Sequence, residues 1–204
     1  MNRLHQGLCA STIWAWHAQR TLVPWVLDSM GRAEDVLEIG PGYGVTTRAL
    51  AHRLARVTAL EVDADLAQRL DSRIEGVQIV HGDGAAMPFA AESYSAVVCF
   101  TMLHHVPSAQ VQDRLFAEAH RVLKPGGVFA GTDSRASMLL RLIHLADTLV
   151  VVDPDRLAGR LDAAGFEQIR IDKRMGAFRF CARKPRTALR GGSRARAEQD
   201  GDGE

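Results

Sequence analysis

The chain has 204 residues, 47% of them hydrophobic and 24% charged, and its 25 Lys and Arg against 24 Asp and Glu leave a formal net charge of +1. That length suits one domain with a full-sized core, and the composition excludes global disorder and collagen-like architecture. The near balance of charge leaves no overall excess to recruit nucleic acid or an anionic membrane. Cys9, Cys99 and Cys181 are odd in number, far apart and without a Cys-x-x-Cys pair, as expected in a reducing compartment. No apolar run precedes Leu8-Cys9, so neither a signal peptide nor a lipid anchor is read there. The most apolar stretch, Met138 to Val152, is broken by Arg141, His144 and Asp147 and is too short to span a bilayer. A soluble, cytoplasmic protein is expected.

Residues 1–34 form a first region, expected to be a helical cap, which holds Trp14, Trp16 and Trp25. Trp14, Ala18, Thr21, Leu22 and Trp25 fall near one helical face until Pro24 interrupts it. From residue 35 to 185, short β-branched runs alternate with longer amphipathic ones. Asp35 to Gly40 reads as a strand, Val45 to Leu54 as a helix and Val57 to Val62 as a second strand. Leu66, Leu70 and Ile74 recur every four residues, the stripe of a helix that buries one face. Asp63 reads as the N-cap of that helix. Val77 to Val80 and Ala96 to Phe100 are the third and fourth strands. Val111, Leu115, Ala119 and Val122 mark another helix, stopped by Lys124-Pro125-Gly126-Gly127. Val128 to Gly131 begins a fifth strand. Asp153-Pro154 opens a helix as N-cap and first helical residue, and that helix runs to Gly165. Gln168 to Lys173 and Phe178 to Arg183 are closing strands joined through Met175-Gly176-Ala177.

Alternation of strand and helix implies βαβ crossovers and a parallel sheet covered on both faces. The last two strands have only a turn between them and must pair antiparallel. The expected fold is therefore α/β and doubly wound, mostly parallel, with an antiparallel last strand. Residues 186–204 carry Arg186, Arg190, Arg194 and Arg196, then Glu198, Asp200, Asp202 and Glu204, with almost nothing to pack; a disordered tail is expected.

In such sheets ligands sit beyond the carboxyl ends of the strands, where the strand order reverses. Gly40-Pro41-Gly42-Tyr43-Gly44 follows the first strand and opens the first helix of the sheet, and its glycines let backbone approach a ligand closely. Glu61 ends the second strand 21 positions after Gly40, where a carboxylate can accept both hydroxyls of a ribose. Asp83, at the end of the third strand in His81-Gly82-Asp83-Gly84-Ala85, can accept from an exocyclic adenine amine. A dinucleotide site calls for G-x-G-x-x-G and room for a diphosphate, as in an NAD-dependent oxidoreductase. Here the spacing is G-x-G-x-G, and Glu38 stands two residues before the first glycine. A carboxylate there repels phosphate and suits a ligand with an α-amino group and a sulfonium. The charge argument favours S-adenosylmethionine over NAD.

The chain resembles the class I S-adenosylmethionine-dependent methyltransferases of the small-molecule type, similar to those of quinone biosynthesis. The resemblance rests on five segments in order. They are Val36 to Gly44, Glu61, His81 to Phe89, Leu103-His104-His105-Val106, and Arg121 to Gly127, and it spans roughly residues 35–185. It implies a seven-stranded Rossmann-like sheet and places Glu38, Gly40, Gly42 and Gly44 at the methionine moiety. By the same resemblance Glu61 holds the ribose, and Asp83, Gly84 and Ala85, with Met87, surround the adenine. One departure is Tyr94-Ser95, where many relatives carry an aromatic residue followed by Asp; a local hydrogen bond rather than cofactor binding is expected to change. Asn-Pro-Pro-Tyr and Asp-Pro-Pro-Tyr, which point to nucleobase or glutamine-amide acceptors, are absent.

Methyl transfer from a sulfonium is an in-line displacement in which orientation and water exclusion do most of the work, so a general acid or base is optional. His104 and His105 are the catalytic candidates because they follow the fourth strand, where the resemblance aims the methyl group. Neighbours on an extended chain point opposite ways, so one of the two is expected to face the pocket. Asp133 reads equally as a pocket residue or a loop cap. His144 and Asp147 sit one helical turn apart, but with no third ligand at suitable spacing no metal site is expected. The Trp-bearing segment is either a helix packed on the sheet edge or a lid over an apolar acceptor, and 136–152 is a second candidate lid. The expected partner is a small apolar or aromatic molecule, without nucleic acid or membrane insertion. Competing readings are a non-catalytic cofactor-binding accessory protein and, on weaker grounds, the NAD enzyme.

Overall fold

The computed structural model describes residues 7, 11–136 and 148–186. Seven strands form one sheet: β1 (Asp35–Ile39), β2 (Arg56–Glu61), β3 (Val77–His81), β4 (Tyr94–Phe100), β5 (Leu123–Ser134), β6 (Glu167–Lys173) and β7 (Ala177–Arg183). Their order is β3-β2-β1-β4-β5-β7-β6. The first five pair in parallel, while β7 is antiparallel to both β5 and β6. The last strand thus inserts between its predecessors and leaves β6 at the edge. Edge strand β6 is largely exposed and carries Glu167, Arg170, Asp172 and Lys173, charges that oppose pairing with another chain.

Four of the connections carry a helix, while the one from β3 to β4 is a loop over residues 82–93. Helices α3 (Val45–Ala51) and α4 (Ala64–Asp71) follow β1 and β2, whereas α5 (Ala109–Val122) and α6 (Pro154–Ala163) follow β4 and β5. The core divides accordingly. Leu50, Leu70 and Ile74 pack with Val36, Ala59 and Val98 on one face of the sheet. On the other, Leu115, Phe116, Leu157 and Leu161 pack with Leu37, Ile39, Phe129 and Phe180. Alternate β1 residues serve the two faces, as the pleat demands. The strand order reverses between β1 and β4, so a crevice opens beyond their carboxyl ends.

Helix caps follow the sequence. Asp63 Oδ1 accepts from Leu66 N at 3.0 Å, and Asp153 Oδ1 from Asp155 N at 2.9 Å with Pro154 in the first turn. The Lys124 to Gly127 segment differs from expectation. It ends the helix, yet it lies within β5, whose register against β4 shifts between Tyr94 and Ala96. Gly126 takes φ +78 there, a bulge that lets the strand start at Leu123.

The amino-terminal segment is also different. Helix α1 (Thr12–His17) passes through a π-helical turn (Ala18–Leu22) into α2 (Val23–Met30), and Pro24 does not interrupt it. Pro24 has no N–H and its ring crowds the carbonyl four residues back; the wider turn before it relieves both problems. Ala18, Leu22, Val23, Val26 and Met30 then pack on the sheet face beside Leu50 and Ala96. Residues 11–30 belong to the cover of the sheet. The candidate metal pair His144 and Asp147, most of the 136–152 segment, Cys9 and the tail beyond Arg186 lie outside the described residues. Among the described residues no helix is long and apolar enough to cross a membrane.

Candidate functional site

A cleft of about 760 Å³ opens at the carboxyl ends of β1 to β4. Gly40, Gly42, Glu61, Asp83, Gly84, Ala85 and His105 all line it, which unites most of the sequence-derived site. Glu38, Gly44 and His104 do not.

Glu61 is the organising residue of the near wall. It is 4% exposed, its Oε2 accepts from Gly42 N at 2.9 Å and its Oε1 from Asp63 N at 3.0 Å. The carboxylate therefore ties the glycine turn to the end of β2 and keeps further lone pairs for a ligand's hydroxyls. Gly42 has φ +55, and a Cβ there would meet nothing within 4 Å. The backbone at Gly42 is thus bare towards open space. Gly40, at φ +68, lies against Met102, whose side-chain atoms would stand 3.1 Å from an added Cβ. Asp83 Oδ1 accepts from Ala85 N at 2.8 Å, which bends the loop after β3 into an Asx turn and leaves Oδ2 available.

Glu38 is 1% exposed and lies on the face of β1 opposite Leu37 and Ile39. The Thr46 hydroxyl donates to its Oε1, and the buried Thr47 hydroxyl lies beside the carboxyl. Burial pushes the Glu38 carboxyl up to about 7 against the lowering effect of the Thr46 and Thr47 hydroxyls, with the charge of Glu61 adding to the rise. Phosphate repulsion at the glycine turn therefore comes from Glu61, which occupies the very amide a diphosphate would use; Glu38 acts from behind the turn. Gly44 is a packing glycine: at φ +76, its Cβ would stand 2.5 Å from Leu70 Cδ2 and 2.7 Å from Ile74 Cδ1.

At the far wall, β4 ends at Phe100 and a 3₁₀ turn (Leu103–His105) follows. His105 faces the cleft beside Met102, Val106 and Pro107. His104 turns away, 3% exposed, and its Nδ1 hydrogen-bonds Asp133 Oδ1. Asp133, fully buried, also accepts from His104 N at 3.1 Å and Ser134 N at 2.6 Å. Asp133 is thus a buried anchor that lies off the cleft lining. Ser95 is at the opposite end of the sheet, where its Oγ accepts from Glu34 N and Asp35 N, so the Tyr94-Ser95 departure does not touch the cleft. None of the tryptophans lines the cleft, and residues 18–30 pack on the sheet instead.

Met102, Arg69 and Thr148 also line the cleft and escaped the sequence. Arg69 borders the Leu66/Leu70 stripe and could have been flagged as a flank of that helix. Thr148 carried no local signal.

Residues 37–131 match a family model described as a methyltransferase domain. Over 185 residues the chain is 29% identical to a protein of Mycolicibacterium smegmatis named as a probable S-adenosylmethionine-dependent methyltransferase, covering 87% of this chain and 68% of that protein. It is 36% identical over 120 residues to the ubiquinone biosynthesis O-methyltransferase of Pseudomonas aeruginosa, 55% of this chain and 50% of that one. It is 29% identical over 154 residues to ribosomal RNA small subunit methyltransferase A of Bordetella pertussis, 66% of this chain and 57% of that one. The chain therefore spans about half the length of the latter two. Phosphoethanolamine N-methyltransferase 2 of Haemonchus contortus, solved with S-adenosyl-L-methionine, shares the fold. Its TM-score is 0.67 at 15% identity, over 91% of this chain and 61% of that one.

Proposed function

The chain belongs to the class I S-adenosylmethionine-dependent methyltransferases, and from that premise we propose that it methylates a small, largely apolar or aromatic acceptor by in-line displacement. The observation that carries this reading is the Glu61 carboxylate pinned to Gly42 N inside the cleft. It leaves hydrogen-bond acceptors for a ribose and takes up the Gly42 amide that a diphosphate would use, which disfavours an NAD enzyme.

The residues present fit S-adenosylmethionine. Glu61 would hold the ribose hydroxyls, and Asp83 the exocyclic amine of the adenine, with Gly84 and Leu115 against its face. Gly40 and Gly42 would lie along the amino-acid headgroup, with Glu38 buried behind the turn. When bound, the cofactor supplies a methyl group activated on a sulfonium with a neutral thioether as leaving group. The protein's own share is to orient the acceptor and keep water out. His105, which lines the cleft beyond β4, would take the proton that an oxygen or nitrogen nucleophile must lose, or would orient it.

A small acceptor is supported by the lining. Its apolar far wall is Met102, Val106, Pro107 and Val111, and Arg69 alone among the described lining residues opposes Glu61, Asp63, Asp65 and Asp83. That charge pattern suits a polyphosphate backbone poorly. Cys99 and Cys181, both buried free thiols, suit a cytoplasmic setting. The test is transfer of labelled methyl from S-adenosylmethionine to a panel of catechols, fatty acids and ribosomal RNA. We expect label on a small molecule. Label on RNA alone would replace the acceptor class, and binding without transfer to any of them would favour the accessory-protein reading.

A further inference from the structure

The turn that presents His105 is held by groups that do not line the cleft. Thr101, the residue after β4, has φ +48, a left-handed conformation that a β-branched side chain adopts only under constraint. The constraint comes from β5: Thr101 N donates to Thr132 O at 2.7 Å, and buried Asp133 takes both the main-chain N–H and the Nδ1 of His104. The His104 ring lies against that of His105, centroids 4.2 Å apart. Gln112 on α5 is fully buried, and its Nε2 donates to Leu103 O at 3.0 Å and to Val150 O at 2.9 Å. Its Oε1 accepts from Arg160 Nη1 at 2.9 Å, so the whole amide is used. Val150 N donates in turn to His104 O at 2.8 Å. The segment so fastened brings Thr148 to the cleft.

We propose that Asp133, His104 and Gln112 are positioning residues that set His105 and Thr148 against the acceptor, a role that rests on the methyl-transfer reading above. Buried ionisable and amide groups are costly to assemble, and apolar replacements of similar volume would pack as well. Backbone strain concentrates where surrounding structure over-determines a functional geometry. Here both occur on the one turn that leads from β4 into the cleft. The network fixes that turn from behind, with His105 at one end and the Thr148 segment at the other.

Full-length Asp133→Asn and Gln112→Met variants test this with three readouts. The imidazole ¹⁵N signals of His105, assigned by their loss in His105→Asn, should shift in both variants. S-Adenosylhomocysteine affinity by calorimetry should stay within about twofold, because Glu61 and Asp83 lie at the other end of the cleft. With whichever panel acceptor the wild type methylates, kcat should fall about tenfold at little-changed acceptor KM, the signature of misorientation. Should Asp133→Asn fail to fold, Gln112→Met carries the test together with Thr101→Gly, which frees the turn without burying a new group. Unmoved His105 signals in folded variants, or an equal loss of cofactor affinity and turnover, would overturn the proposal. Absence of transfer by the wild type to every acceptor would count against methyl transfer itself, and the His105 signals would still decide the network.

Discussion

The two ends of the cleft are built by different means. At the β1–β3 end, neighbouring backbone and carboxylates do everything: Glu61 accepts from Gly42 N and Asp63 N, and Asp83 from Ala85 N. At the β4–β5 end the wall depends on side chains distant in sequence. His104 meets Asp133 across 29 positions, and Gln112 reaches Val150 across 38. The first end joins carboxylates to backbone amides no more than 19 positions away. The second is held by buried side chains that bridge longer separations.

The comparison can be broken first at Glu38, the residue behind the glycine turn. Its folded carboxyl titrates at about 7 against an ordinary 4.5, so the native state keeps a proton that the unfolded chain releases. The stability this contributes is full below pH 4.5 and is lost as pH rises to about 7, on the order of 3 kcal/mol in all. Denaturant unfolding without cofactor should show that fall, and Glu38→Gln should abolish it and be the more stable protein at pH 8. A wild-type stability that is flat between pH 5 and about 7.5 would contradict the burial argument.

Glu61→Ala comes next. Removing a charged acceptor that the glycine turn and the ribose share should weaken S-adenosylhomocysteine binding about a hundredfold in calorimetry, and Asp83→Ala about tenfold. The same assay on Asp133→Asn should show almost none of this, and comparable losses would erase the distinction between the two ends. The two glycines sharpen it further. Gly44→Ala drives a Cβ into Leu70 and Ile74 at positive φ, and should cost about 2 kcal/mol of stability with cofactor affinity retained in the folded fraction. Gly42→Ala meets only open space, so it should cost about 1 kcal/mol of stability and yet impair binding. Smallest is Asp63→Ala, which removes the α4 cap for about 1 kcal/mol of stability at most.

Those different means also decide what can be read without a structure. The strand–helix alternation, the Asp63 and Asp153 caps and the antiparallel hairpin are local patterns, and each is found where the spacing puts it. Glu61 ends β2 and Asp83 follows β3 by two residues, so counting along the chain brings both into the cleft. One of the two histidines does face the cleft, but not by strand alternation: His104 and His105 share a 3₁₀ turn with their rings 4.2 Å apart, and only His105 lines the cleft. What escaped is what depends on packing. Pro24 reads as a helix breaker because a π-helical turn is invisible to a 3.6-residue period. Glu38 reads as a cleft residue because its charge is evident and its side of β1 is not. Gln112 reads as one polar residue on an amphipathic helix, and only the fold brings Leu103 and Val150 to its amide.

Calorimetric titration of the full chain with S-adenosylhomocysteine and with NAD, each on wild type and on Glu61→Ala, tests the site most directly. We expect saturable one-to-one binding of the sulfur nucleoside that drops about a hundredfold in the variant, and no heat from NAD with either protein. Tight uptake of NAD by the wild type, with no response to S-adenosylhomocysteine, would contradict the assignment of Glu61 and the glycine turn.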